Sequence, residues 1–396
     1  LGFAIAFAQI DVPLNGVLVM KTLKIRNLIF SLHRYLGLLA GIVIAIVGLT
    51  GSLLVFHEEL ESLLVRQRLG AITPKPEAIE IEQIFTTVQT EATKLGLRIG
   101  AIVPPQHVDA PYQARLWDQS DRLTQLFLDP YTGKLMGSIQ EQTSILGTAL
   151  RLHYQLMAGD LGTQVVGVAA FLLLLLSLTG IVLWPGWRKL SVGFKIKWNA
   201  HPKRMTFDLH KVAGIIAAVF LAFTAFTGFC WNFYDIAEPA IYAMTFTAKQ
   251  PEPESTPLSG KSSLNLDKIA AAAEVALPGG KTSWINLPNA PTNPFILYKK
   301  FPGTGKFDNA VYLDQFTSAV LRVNKAENLL LGDRILNAFT PLHYGTFGGL
   351  TTRILYIFVG FAPTLLLITG FVMWRYRKRN VTKLSEPTES ATMAGR

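Results

Sequence analysis

Apolar and polar positions divide the chain into two regimes. Four stretches, Tyr35–Phe56, Leu161–Trp187, Val212–Tyr234 and Ile354–Trp374, contain no charged residue, and none alternates in polarity. A helix rises 1.5 Å per residue, so about 20 apolar residues cross roughly 30 Å of hydrocarbon. A spanning strand needs only about 10 residues of alternating polarity. The pattern therefore predicts four transmembrane helices. The two long intervals are more polar. Each opens with a helix-like stretch (Ile79–Leu95; Leu266–Val275) and continues in short strand-like runs.

Basic residues orient the spans. Lys21, Lys24, Arg26 and Arg34 precede the first, and Arg188, Lys189, Lys195, Lys197, Lys203 and Arg204 crowd the loop between the second and third. Arg375, Arg377, Lys378 and Arg379 follow the fourth. By the positive-inside rule both termini and the middle loop face the cytoplasm, and both long intervals face outward. Trp184, Trp187, Trp231 and Trp374 near span ends suit interfacial anchoring. A bacterial inner-membrane, multi-pass protein is expected.

The expected organisation is a non-native or disordered extension over 1–19, a first transmembrane helix in 20–57 and an outer domain over 58–150. The second helix follows in 151–187, then a basic loop over 188–208 and the third helix in 209–234. A second outer domain over 235–340, the fourth helix in 341–374 and a tail over 375–396 complete it.

Composition narrows the chemistry. Charged residues make up 16% of the 396 and hydrophobic ones 50%, against about 25% charged in soluble domains. The single cysteine, Cys230, excludes a disulfide framework, a thiolate zinc cluster, a four-cysteine iron–sulfur centre and covalent c-type haem. It reads as a small apolar filler. The net charge of +10 is juxtamembrane, so nucleic-acid binding is not indicated. The chain has no Walker loop and no G-x-G-x-x-G after a strand, so electrons or energy from a nucleotide are not indicated.

An internal repeat carries the functional signal. His33 is followed by Gly37 and by Thr50-Gly51, and His210 by Gly214 and Thr227-Gly228 at the same offsets. His153 leads to Thr179-Gly180 and Trp184, and His343 to Thr369-Gly370 and Trp374, again at equal offsets. In the outer segments, Leu126–Gly133 aligns with Val311–Ser318, although Gln315 replaces Pro130 and Ser318 replaces Gly133, which leaves the second turn open. Two copies of span–outer domain–span, related by a pseudo-twofold axis along the membrane normal, are expected. Such an axis brings His33 to His210 near the inner surface and His153 to His343 near the outer one. Neutral imidazole is a good iron ligand, and a haem with two axial histidines suits electron transfer.

A histidine at a span end also sits comfortably in the headgroup zone, and only the symmetric pairing favours ligation. His57, whose repeat partner is Tyr234, is an alternative outer ligand. As one continuous helix, His153 to Gly180 rises about 40 Å, which puts the outer pair at or slightly beyond the headgroups. The Thr-Gly glycines leave room either for a flat macrocycle or for ordinary helix packing. Arg34 and Lys211, beside the inner histidines, are read as positive-inside residues, with haem propionates as the other role.

The segments Leu32–Gly37 with Leu49–Gly51, Leu152–Tyr154, Asp208–His210 with Gly214, and Pro341–Gly345 resemble the PepSY-associated transmembrane helix family. These are iron-regulated inner-membrane proteins that include ferric-siderophore reductases. The resemblance runs from Lys21 to Arg379, and the outer segments resemble PepSY domains, a helix packed on a small antiparallel sheet. It implies a haem-dependent oxidoreductase with two b haems. Such a protein takes electrons from quinol or a redox protein and reduces ferric iron held by a siderophore or other chelate. A non-catalytic PepSY scaffold or sensor, binding a peptide or regulating a peptidase, is the alternative. A transporter is disfavoured because the four stretches lack the acidic or basic residue of a coupling path.

Overall fold

A computed structural model describes residues 14–258 and 265–385; most of the segment read as an extension, residues 1–13, lies outside the described residues. The chain runs α1 (Leu14–Leu54), α2 (His57–Leu69), α3 (Ile81–Leu95), β1 (Arg98–Val103), β2 (Tyr112–Trp117), β3 (Leu123–Leu128) and β4 (Leu135–Gln140). Next come α4 (Ile145–Gln155), α5 (Gly159–Leu183), α6 (Leu190–Phe194), α7 (Pro202–Asn232) and α8 (Tyr234–Met244). The order then echoes the first half: α9 (Leu266–Ala276), β5 (Lys281–Asn286), β6 (Phe295–Lys300), β7 (Ala310–Leu313), β8 (Val320–Asn324), α10 (Leu331–Tyr344) and α11 (Gly349–Ser385).

Four helices are long and apolar enough to cross a membrane: Lys24–Leu54, Gly159–Trp187, Pro202–Asn232 and Gly349–Lys378. Only 22–28% of each apolar window is buried inside the protein. Apolar residues left exposed on four long helices call for an apolar solvent. The chain is a multi-pass membrane protein.

By its internal contacts the chain forms two compact units. One comprises the chain up to Gly48, Val168–Phe226 and the chain from Val359. Here α1 meets α5 through Ala40, Ile44 and Ala169, with Leu172, Leu173 and Leu176 against them. α1 also approaches α11 so closely that a Cβ on Gly48 would strike the Gly360 carbonyl oxygen. Such small-residue contacts replace the hydrophobic drive that lipid removes. The loop after α5 folds onto Trp184, whose indole meets Trp187 and Phe194 at ring distances of 5.5 and 5.1 Å.

The other unit comprises Leu49–Gly167 and Thr227–Phe358. Its strands form one antiparallel sheet, ordered β4-β3-β2-β1-β5-β6-β7-β8. The two small sheets expected from the sequence are therefore fused, because β1 and β5 pair through Ala101 with Asn286 and Ile102 with Ile285. Alternation sends Ala114, Leu116, Leu126 and Leu128 to one face, where Ile84, Val88 and Ala92 of α3 cover them. On the same side Leu266, Ile269 and Ala273 of α9 cover Ile285, Phe295, Leu297, Val311 and Leu313. Each large aliphatic side chain so buried contributes roughly 1.5–3 kcal/mol. The two helices exchange N-terminal caps: Ile81 N–H donates to Asp267 Oδ1 at 3.0 Å, and Leu266 N–H to Glu82 Oε2 at 2.6 Å.

The turn left open in the second copy closes like the first. Asp129 Oδ1 accepts from the Tyr131 and Thr132 amides, and Asp314 Oδ1 from those of Phe316 and Thr317. Ser318 adopts φ 59°, close to the 69° of Gly133, so hydrogen bonding holds a side-chain-bearing residue in the left-handed region.

One expectation is corrected. His153 and His343 do not continue into the spans as single helices. Leu156 and Met157, at φ 50° and 58°, end α4 before α5 starts at Gly159. Gly345, at φ 71°, ends α10 before α11 starts at Gly349. The straight 40 Å rise therefore does not apply, and both histidines ride on short helices that break away from the spans.

Candidate functional site

The inner histidines lie in the first unit. His33 is on α1 and His210 on α7, with ring centroids 6.3 Å apart and planes at 85°. A threonine from a further helix holds each ring: His33 Nδ1 lies 2.8 Å from Thr179 Oγ1, and His210 Nδ1 lies 2.8 Å from Thr369 Oγ1. The threonine hydroxyls have their own acceptors, the Leu175 carbonyl at 2.6 Å and the Leu365 carbonyl at 2.7 Å. A carbonyl can only accept, so each hydroxyl proton is committed to the backbone and its oxygen accepts from the imidazole. Both rings thus carry their proton on Nδ1, and Nε2 keeps its lone pair. In this tautomer Nε2 is the nitrogen that can ligate a metal.

The outer histidines lie in the second unit, His153 on α4 and His343 on α10, with centroids 6.0 Å apart and planes at 81°. Thr50 Oγ1 is 3.3 Å from His153 Nδ1, and Thr227 Oγ1 is 2.8 Å from His343 Nδ1. The Trp231 indole lies against His343 at 4.8 Å between centroids. Tyr344 follows, 6.1 Å from the His343 ring.

The ring separations have a chemical scale. Two metal–imidazole bonds of about 2.0–2.1 Å, with about 1.1 Å from nitrogen to ring centre at each end, sum to about 6.3 Å. Each pair therefore has the separation of two imidazoles holding one ion between them. The described residues contain no cluster of three or more histidine, cysteine, aspartate or glutamate side chains fit to hold a metal.

Every threonine of the four Thr-Gly pairs, and the glycines Gly51, Gly180 and Gly370, have a place here. The threonine orients a ring, while a Cβ on Gly51 would stand 2.9 Å from His153 Cε1 and one on Gly180 3.4 Å from His33 Cε1. Reading the sequence for space alone singled out the glycines and missed Thr50, Thr179, Thr227 and Thr369. Their signal was present, because they share the offsets of the histidines they meet. His57, the alternative outer ligand, opens α2.

Lys211 is engaged within the protein. Its Nζ donates to Asp208 Oδ1 at 2.7 Å and to the Val192 carbonyl at 2.8 Å. Asp208, fully buried, also accepts from the Lys197 amide and from Arg204 Nε, and so ties the basic loop to α7 two residues before His210. Arg34 differs: its Nε is buried without a hydrogen-bond partner.

Four apolar helices, an antiparallel sheet with two helices packed on it, and two histidine pairs define a multi-pass membrane protein with an α+β portion outside its spans. The chain belongs to the PepSY-associated TM region family, whose sequence profile matches residues 30–377. No curated protein matches it.

Proposed function

We propose that His33 with His210, and His153 with His343, each hold one b-type haem, and that the protein is an inner-membrane ferric-chelate reductase. Bound haem would supply reversible one-electron carriage without an open iron position. The chain's own residues supply two imidazoles per site, set 6.0–6.3 Å apart between ring centres. Threonines fix the inner tautomer and the orientation of all four rings. Arg34, with its unpartnered Nε beside His33, suits a haem carboxylate.

In this reading the repeat places equivalent histidines across a pseudo-twofold axis, with both termini in the cytoplasm. Each ferric ion takes up one electron, derived from quinol or a redox protein, and the ferrous ion leaves a chelate that binds it less tightly. The observation carrying the proposal is the recurrence of one geometry, a histidine pair with a threonine on every Nδ1, in both units. The test is the oxidised and dithionite-reduced spectrum of the purified protein with pyridine haemochrome quantification. Two b haems per chain are expected, and one in His33→Ala or His210→Ala. Haem-free protein from cells well supplied with haem would overturn the proposal.

A further inference from the structure

The face of the eight-stranded sheet opposite α3 and α9 carries an unusual set of cations. Ala114 and Leu116 point into the α3 core, so Gln113, Arg115 and Trp117 take the other face of β2. Ile285 points to α9, so Trp284 takes that same opposite face of β5. The Trp284 indole is locked by donation from Nε1 to Asn286 Oδ1 at 2.6 Å. Two cations flank it: Arg115 Cζ lies 5.2 Å and Lys306 Nζ 4.6 Å from the ring centre. Phe307 extends the aromatic wall, 6.0 Å from Trp284.

Neither cation forms an ion pair with a carboxylate among the described residues. Glu58, Glu61 and Glu141 are within electrostatic range but not in contact. Of these, Glu61 accepts from Gln125 Nε2 at 3.0 Å, and burial pushes the Glu141 carboxyl up, toward its neutral form. Burial pulls both the Lys306 ammonium and the Arg115 guanidinium below their ordinary values, as expected for charges short of a partner. Gln113 Nε2 and Arg115 Nε are buried with no acceptor, as is Arg322 Nε on β8. All three are donors, and a buried donor without an acceptor is costly. Such a face is complementary to a ligand rich in anionic oxygen. Arg115 is also within electrostatic range of the Tyr344 hydroxyl, next to His343.

We propose that Arg115 and Lys306, held on the Trp284 indole, form a recognition site for an anionic, oxygen-rich ligand. Resting on the reductase reading above, that ligand is a ferric chelate of net negative charge, of the polycarboxylate or catecholate class. The two cations select it over a neutral or cationic hydroxamate chelate, and the indole and Phe307 pack on its organic part. A phospholipid headgroup offers the same anionic oxygens and is the competing source.

The test uses the full-length protein in detergent and redox-inert gallium(III) in place of iron. Calorimetric titrations would compare gallium(III) citrate, a non-anionic gallium(III) tris-hydroxamate and dihexanoyl phosphatidylglycerol. Wild type is expected to bind the citrate complex most tightly, and Arg115→Gln and Lys306→Gln each to weaken it about tenfold. The hydroxamate titration and the reduced haem spectrum should be unchanged in both variants, showing an intact fold. Equal binding of the citrate complex by wild type and both variants overturns the site. Variant-sensitive binding of phosphatidylglycerol alone overturns the chelate in favour of a headgroup. Because gallium binding needs no electron transfer, haem-free protein that still binds the anionic complex would sink the reductase and spare the site.

Discussion

Thr179 Oγ1 accepts from His33 Nδ1 while donating to the carbonyl of Leu175, so one hydroxyl joins the ring on α1 to the backbone of α5. The proton must sit on Nδ1, and Nε2 is left to ligate. Thr179→Val removes the acceptor and keeps the shape. Outer partners of metal ligands typically contribute about 10–100-fold in affinity. If His33 and His210 hold haem as proposed, Thr179→Val should therefore lower its retention by about that factor in a competition assay with apomyoglobin, and Thr179→Ser should restore it. Unchanged retention would show that packing alone orients the ring.

Gly51 presses on His153, and a Cβ there would stand 2.9 Å from Cε1. A Cβ on Gly37 or Gly214 would meet only a leucine methyl, at 3.7 and 3.6 Å. Gly51→Ala should displace the His153 ring and cost the proposed outer haem, read as a drop from the two haems proposed to one. Gly37→Ala and Gly214→Ala should keep both. Loss in all three would mean that helix packing, not ring contact, governs these glycines.

Asp208 and Lys211 form a buried ion pair at 2.7 Å, with side chains 0% and 4% exposed. Removing one partner of such a pair leaves an uncompensated charge, at roughly 3–5 kcal/mol. Asp208→Asn should lower the melting temperature sharply, and adding Lys211→Met should recover most of the loss. A double variant no better than the single one would put the effect in the Arg204 and Lys197 contacts instead.

Glu59 accepts two hydrogen bonds from Arg353, at 2.5 and 2.6 Å, and this guanidinium holds its carboxyl below the usual carboxylate range. A lowered folded-state value means the contribution is fully present above the ordinary carboxylate value. It is lost as pH falls through the lowered one. The Glu59 side chain is half exposed, so the effect is small. The melting-temperature difference between wild type and Glu59→Gln should be constant near neutral pH and vanish in acid. A difference that persists in acid would assign it to shape rather than charge.

Much of this was legible in the sequence because it depends on local chemistry. Charge-free stretches long enough to cross a bilayer marked the four helices, and the offsets shared by His33, His210, His153 and His343 marked the residues that meet. The helix-like stretches Ile79–Leu95 and Leu266–Val275 closely match α3 and α9. Even the altered Asp314–Ser318 segment keeps its turn, because the Asp314 carboxylate supplies the hydrogen bonds whether glycine or serine follows.

Other features are pairings between distant residues, which no local pattern encodes. Fusion of two sheets into one depends on β1 meeting β5, and cap exchange on α3 meeting α9. The breaks after α4 and α10 set the outer histidines off the span axes, and residues such as Leu156 and Met157 give no warning of a left-handed turn. The gathering of Arg115, Lys306 and Trp284 from strands and a loop far apart in sequence has the same origin. By itself the sequence determined which residues come in pairs, because spacing and repetition are properties of the chain. Only the tertiary structure decided the ring separations, the proton on Nδ1 and the cations left without carboxylate partners, because each depends on atoms brought together by packing.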